Sequence, residues 1–370
     1  MHLIDVSAGR DNNFNLIRFV AATAVLFSHS FSLSTGNPDA EPLAATIGTT
    51  PAGIAVDVFF LASGFLVTAS IVKSQSLIDY TLGRVLRILP GLLVMLTLTV
   101  FGMGLALTTL SWQDYLHSGG VYRYFAKCAS LHIKYHLPGV FEANPYKAAV
   151  NGSLWTLPYE VEMYALLALG WMSFGVIGRH RARAFALACV IAAASSGVYL
   201  LYRYVRIGEE DRLLSLFFMF FTGATYFVLR KYIRLSVTVL APLLIVLVAA
   251  CFVSRTAFFT IYVFGISYVT FYLAYVPGGF VRRYNNVSDF SYGIYIYAFP
   301  VQQTVVALAP GISPLALFMW AGLATLGFAM FSWFSVERPA LDLKPRLVRQ
   351  LMGKLGYERN GAIWQRPTGA

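Results

Sequence analysis

Residues 14–34 read FNLIRFVAATAVLFSHSFSLS. A helix crosses the hydrocarbon core of a bilayer in about 20 apolar residues, and this run has that length. It has no convincing cleavage site and carries Arg18 and His29, so it reads as a retained helix rather than a signal peptide. Eleven residues of helix make three turns plus about 20°, so Arg18 and His29 share one face, roughly 16 Å apart at 1.5 Å per residue. Comparable runs follow near 53–73, 82–107, 157–177, 185–205, 213–230, 235–253, 256–276, 290–309 and 314–335. The pattern predicts an all-α polytopic membrane protein with about ten transmembrane helices.

Composition agrees. The 370-residue chain is 58% hydrophobic and 12% charged, with a mean hydropathy of +0.64. Globular domains carry about 25% charged residues, so this chain has too few polar side chains to coat a surface in water. The net charge of +11 would suggest nucleic acid for a soluble protein. Here the basic residues cluster in particular connections, which points to membrane orientation and not to nucleic acid. Alternate connections hold 19 Lys and Arg on one side and 8 on the other. The positive-inside rule assigns the richer side to the cytoplasm, and an even number of spans leaves both termini there. Cys128, Cys189 and Cys251 lie far apart, with neither disulfide nor zinc spacing.

The long connection, 108–156, falls on the outer side; a connection of that length has a job or a small fold of its own. His132 and His136 have the i, i+4 spacing of a metal pair on a helix, but no third ligand stands out and no metal is expected. After residue 340 comes a basic cytoplasmic tail, 341–370. In it Leu343, Leu347, Leu351 and Leu355 recur every four residues between Lys344, Arg346, Arg349 and Lys354. This is the pattern of an amphipathic helix on the inner leaflet, with a frayed basic tail as the plain alternative.

Ionisable groups within spans are costly and mark pathways or sites. With alternating span directions, His29, Asp57 and Glu160 fall at one depth near the outer ends of their helices. Glu160 and Glu162 point about 200° apart, so at most one of them faces a common site. Arg18, Arg84 and Arg87 fall together near the inner ends, with Arg84 and Arg87 on one face. Guanidinium forks bind phosphate, and a histidine with a carboxylate accepts protons. Acyl-CoA has the matching shape: a phosphorylated head, a thin arm and a reactive thioester. The plain alternatives are arginines snorkelling to headgroups, a satisfied core histidine at 29 and an N-terminal cap at Asp57.

These residues resemble the membrane-bound acyltransferase family three, whose bacterial members O-acetylate saccharides of the cell envelope. The likeness covers about 12–340. The basic residue, ten residues and histidine that open the family stand as Arg18–His29. VDVFFLASGFLV holds Asp57, Ser63 and Gly64; RVLR holds Arg84 and Arg87; SLWTLPYEVEMY holds Trp155 and Glu160. SYGIYIYAFP and SVERP match the later patterns, although Ala298 stands where many members carry histidine. The resemblance implies an O-acyltransferase of the bacterial inner membrane. The donor would be cytoplasmic acetyl-CoA or another acyl-CoA, held by Arg18, Arg84 and Arg87. The acceptor would be an exopolysaccharide, lipopolysaccharide or lipo-oligosaccharide. His29 would be the general base, with Asp57 or Glu160 orienting its ring. Ser63 is not expected to carry the acyl group: it lies about 240° around the helix from Asp57, and close packing beside Gly64 accounts for it better. Trp155 and the tyrosines of the outer rim could stack on a sugar ring, with the plain alternative that aromatics gather at membrane interfaces without binding anything. The competing class is a transporter or flippase, but no inverted repeat supports it.

Overall fold

Local chemistry sets the helix boundaries. In the computed structural model, which describes residues 1–9, 11–74, 76–147, 149–355, 358–360 and 363–365, the first long helix, α1 (Phe14–Thr35), stops where Gly36 turns left-handed at φ 75°. Thr50 caps α2 (Pro51–Lys73) by accepting the Gly53 N–H at 3.0 Å, with Pro51 in the first turn. Ser76 caps α3 (Leu77–Thr97) by accepting the Asp79 N–H at 3.1 Å. That helix continues through a π-helical turn, Leu98–Met103, to Leu107. Then come α4 (Gly119–Ala129), α5 (Thr156–Ser173), α6 (Arg181–Ile207), α7 (Arg212–Val228), α8 (Val237–Val253), α9 (Arg255–Tyr275), α10 (Ser291–Leu308), α11 (Pro314–Ser332) and α12 (Lys344–Lys354).

Each apolar run identified from the sequence carries a helix. Among the described residues six stretches are long and apolar enough to cross a membrane, and α7 and α8 are shorter apolar helices. The outer surface suits lipid: α8 exposes Val239, Ile245, Val248 and Phe252 and buries Ala250. A helix this apolar all round, and this exposed, has no stable place in water. The protein is an α-helical, multi-pass membrane protein. The departure from all-α is a hairpin in the tail, where Glu358–Asn360 pairs antiparallel with Ile363–Gln365.

Two packing features place the rest. Helices α2 and α7 cross at Gly64 and Gly223: a methyl on Gly64 would strike the Phe220 carbonyl, and one on Gly223 the Leu61 carbonyl. The contact is reciprocal, and small residues permit it. Helix α10 is the centre of the bundle, buried at every position from Ser291 to Gln303. Pro300 cannot donate to the carbonyl one turn earlier, that of Ile296. Asn151 supplies the missing donor through Nδ2 at 2.8 Å. Gln303 Nε2 donates to the carbonyls of Tyr146 (3.0 Å) and Ala149 (2.8 Å), and Gln302 Nε2 to Leu26 on α1 (2.8 Å). The amide nitrogens of Asn151, Gln302 and Gln303 thus all donate to backbone carbonyls, as a medium without water favours.

The 108–156 segment is part of this core. It carries α4 and a short helix, Trp112–His117, and buries Tyr115, Tyr124, Val140 and Phe141. The Tyr115 hydroxyl donates at 2.8 Å to the Val100 carbonyl in the π-helical turn of α3. Residues 132–136 are not helical, so the helical spacing that would bring His132 and His136 together does not form. In the tail, α12 docks on α3, burying Val348 and Met352 and pairing Lys344 with Asp79 at 2.9 Å, while Leu343, Leu351 and Leu355 stay exposed.

Gly223→Ala should separate α2 from α7 and destabilise the bundle by about 1–3 kcal/mol, the usual cost of overpacking. A lower melting temperature in detergent is the expected reading; an unchanged one would mean the crossing tolerates a side chain.

Candidate functional site

Arg18 of α1 and Arg87 of α3 converge on a single carboxylate oxygen. Each donates to Asp289 Oδ2 at 2.6 Å, just before α10 begins. The other oxygen, Oδ1, accepts from Ser291 through its N–H (3.2 Å) and its hydroxyl (2.5 Å). Burial pushes the Asp289 carboxyl up, but the two guanidiniums outweigh it and hold it down at about 2. Arg87 also lies 3.8 Å from buried Glu337. Arg84 differs from both: among the described residues it has no ion pair, and its buried Nε makes no hydrogen bond. Its guanidinium lies 5.7 Å from the centre of the Tyr164 ring. Of the three arginines it is the cation left free for an anionic ligand.

These arginines line a narrow cavity of about 100 Å³ shared with Ser63 of α2 and with Glu160 and Tyr164 of α5. Ser63 Oγ donates to Glu160 Oε1 at 3.1 Å, and the Tyr164 hydroxyl donates to the same oxygen. Glu160 has no ion pair among the described residues. Thr156 and Tyr295, hydrogen-bonded at 2.7 Å, complete the lining.

A second, wider cavity of about 720 Å³ is lined by Trp155, one residue from Thr156, and by Phe299, one turn from Tyr295. His29, Glu41, His136 and Lys147 face it too. The His29 ring packs edge-on against Phe299, with ring centres 5.4 Å apart. Its buried Nδ1 makes no hydrogen bond. Glu41 is the carboxylate whose charge bears on the ring. Ser32 Oγ holds Glu41 at 3.0 Å, and Ser28 Oγ donates to it as well. Gly152 lets Phe299 in, since a methyl there would meet the ring at 2.6 Å.

Depth along the membrane therefore did not decide company. The structure gathers Arg18, Arg84 and Arg87, and adds Glu160 to them. It does not gather His29, Asp57 and Glu160. His29 faces the wide cavity and Glu160 the narrow one. Asp57 faces neither, and is fully buried between α7 and α9. There Tyr262 donates to Asp57 Oδ2 at 2.7 Å and Arg212 lies 3.6 Å from Oδ1. The cause is azimuth: α2 turns Asp57 towards α7 and α9, and Ser63 towards α5. The carboxylate beside His29 is Glu41, which lies in the connection before α2 and so escaped a search confined to spans. Asp289 escaped for the same reason, although it is the acid immediately flanking SYGIYIYAFP.

Asp289→Asn would leave two half-buried guanidiniums facing one another, with only Glu337, 3.8 Å from Arg87, as a remaining counter-charge. Breaking such a pair from one side costs on the order of 3–5 kcal/mol. Because the carboxyl is depressed from 3.8 to about 2, its contribution is complete above pH 3.8 and fades as pH falls towards 2. Thermal melts at pH 7 should show a large deficit for Asp289→Asn that narrows as the pH drops below 4. A deficit that stays constant across that range would exclude the charge as its origin.

A family model described as an acyltransferase domain matches residues 11–334. The chain is 31% identical to an O-acetyl transferase of Shigella phage Sf6 over 335 residues, covering 89% of this chain and 96% of the relative. It is 29% identical to nodulation protein 10 of Rhizobium leguminosarum bv. viciae over 376 residues, covering 92% and 96% respectively. No solved structure matches it. A cluster of arginines beside a narrow cavity, with a histidine in a wider one, is thus the arrangement that this sequence builds on a known family framework, and the chain belongs to that acyltransferase family.

Proposed function

We propose that the protein is an O-acetyltransferase of the bacterial inner membrane, moving acetyl from cytoplasmic acetyl-CoA to a hydroxyl of a cell-surface or lipid-linked saccharide. All ten apolar helices cross the bilayer, with both termini in the cytoplasm. Residues 12–340 form the catalytic membrane domain and 341–370 a basic cytoplasmic tail whose helix lies at the inner leaflet. The observation that carries this reading is the pair of cavities set along α1, with Arg18 and its fellow arginines at one and His29 at the other.

The residues divide the work. Arg84, free of a carboxylate, takes a phosphate of the donor, while Arg18 and Arg87 flank it with the part of their charge that Asp289 leaves. The phosphorylated head stays at the mouth, because the narrow cavity admits an arm and not a nucleotide. In the wide cavity Trp155 and Tyr146 present ring faces to a sugar. His29 accepts the proton of the attacking hydroxyl, and Glu41 stabilises the imidazolium that results. Asp57 ties α2 to α7 and α9 and acts on the site through that packing.

Removing a general base costs 10²–10⁴-fold, so His29→Ala should abolish measurable transfer, and Glu41→Gln should lower it by roughly 10-fold. Ester-linked acetate on surface polysaccharide, from cells with equal amounts of each variant, is the measurement. Ester unchanged in His29→Ala would remove that residue from the chemistry. Ester absent even with the wild type would remove the saccharide acceptor.

A further inference from the structure

The narrow cavity offers several hydroxyls beside the arginines, and their partners distinguish them. Tyr292 donates its proton at 2.8 Å to the Ile88 carbonyl, which is no base. Thr156 and Tyr295 are spent on one another. Ser291 donates to Asp289, but that carboxylate already neutralises two arginines and is held acidic, so it has little appetite for a proton. Ser63 is different. It is half-buried, its hydroxyl opens on the cavity, and it donates at 3.1 Å to Glu160, a carboxylate with no cation paired to it among the described residues. Tyr164 donates to the same Glu160 oxygen and holds it in place. A hydroxyl whose proton already points at an unpaired carboxylate is the arrangement of an activated nucleophile.

The angle between Ser63 and Asp57 had argued against such a role, but the relevant carboxylate comes from α5 and not from α2. The separation of the cavities adds a reason: His29, the acceptor's base, lines the wide cavity and not the narrow one that the arginines line.

Resting on the acetyltransferase reading above, we propose that Ser63 is a covalent acyl carrier and Glu160 its general base. In the first step Ser63 Oγ attacks the thioester carbonyl carbon and Glu160 takes the hydroxyl proton. The C–S bond breaks, and the departing sulfur takes that proton from Glu160 and leaves as the CoA thiol. The product is an oxygen ester on Ser63. In the second step the acceptor hydroxyl attacks that ester, with His29 receiving its proton. The C–Oγ bond breaks, the proton that His29 received passes to Ser63 Oγ, and the acetyl group ends on the acceptor. Nothing is oxidised or reduced, and no further reactant is needed.

The test uses the full-length protein in lipid nanodiscs with carbonyl-labelled acetyl-CoA alone, quenched in acid and mapped by peptide mass spectrometry. In parallel, cells carrying each variant are assayed for polysaccharide ester. The wild type should acquire one acetyl group on the peptide containing Ser63. His29→Ala, blocked in the second step, should retain it longer. Ser63→Ala should take no label and lose transfer on the order of 10²-fold or more, and Glu160→Gln should slow labelling comparably. Ser63→Cys should be labelled as a thioester that neutral hydroxylamine removes, which separates chemistry from a folding defect. Polysaccharide ester at wild-type levels in Ser63→Ala, or label on another residue, would overturn the carrier and leave the acetyltransferase reading standing. A wild type that neither releases CoA nor forms ester would overturn both.

Discussion

One carboxylate oxygen receives two guanidiniums from two different helices, and most of what surrounds the narrow cavity hangs on it. Asp289 joins α1, α3 and the start of α10 at one point. Without it, Arg18 and Arg87 would repel each other across a space that lipid and protein keep poor in water. With it, their net positive charge is reduced to a level a membrane protein tolerates, and both side chains are fixed in direction. The arrangement also explains the singularity of Arg84. Arg18 and Arg87 share Asp289, and Arg87 also lies near Glu337, whereas Arg84 has no ion pair among the described residues.

The chemistry then follows from a division of space. The narrow cavity is bounded by helices drawn close by small residues and shared tyrosines; Tyr80 donates to the Tyr164 carbonyl at 2.9 Å and Tyr292 to that of Ile88 at 2.8 Å. The wide one owes its width to the 108–156 segment, which stands off the helix ends and brings Tyr135, Tyr146 and Lys147 around His29. Thr156 and Tyr295, hydrogen-bonded to one another at 2.7 Å, line the narrow cavity, and their near neighbours Trp155 and Phe299 line the wide one.

Much of the helical framework could be read from the chain, because a bilayer converts length and hydrophobicity into structure with few alternatives. Arg84 and Arg87 at i, i+3 and Arg18 at the same depth were enough to anticipate that the three meet. Depth alone could not say that Asp57 turns towards Arg212 while Ser63, six residues on, turns towards Glu160. That depends on which neighbour packs against which face of α2, information held in the Gly64–Gly223 crossing and not in either helix by itself. Glu41 and Asp289 were missed for a different reason. Both lie just outside spans, where an acid is ordinary, and both become special by folding back against a buried cation or imidazole.

Helix α10 carries a further implication, for how the chain is made. SYGIYIYAFPVQQTVVAL holds two glutamines, four hydroxyls on its first turns and a mid-helix proline, and it is not among the stretches apolar enough to enter a membrane on composition alone. Its polar groups are answered by α1, by Asn151 and by the backbone of the segment ahead of α5, all of which precede it in the chain. The ribosome therefore delivers this segment, ahead of α11, to polar partners already made, and the earlier helices act as the solvent into which it partitions. Tyr146 and Ala149, which line the wide cavity, thus also serve to receive α10 as the molecule assembles.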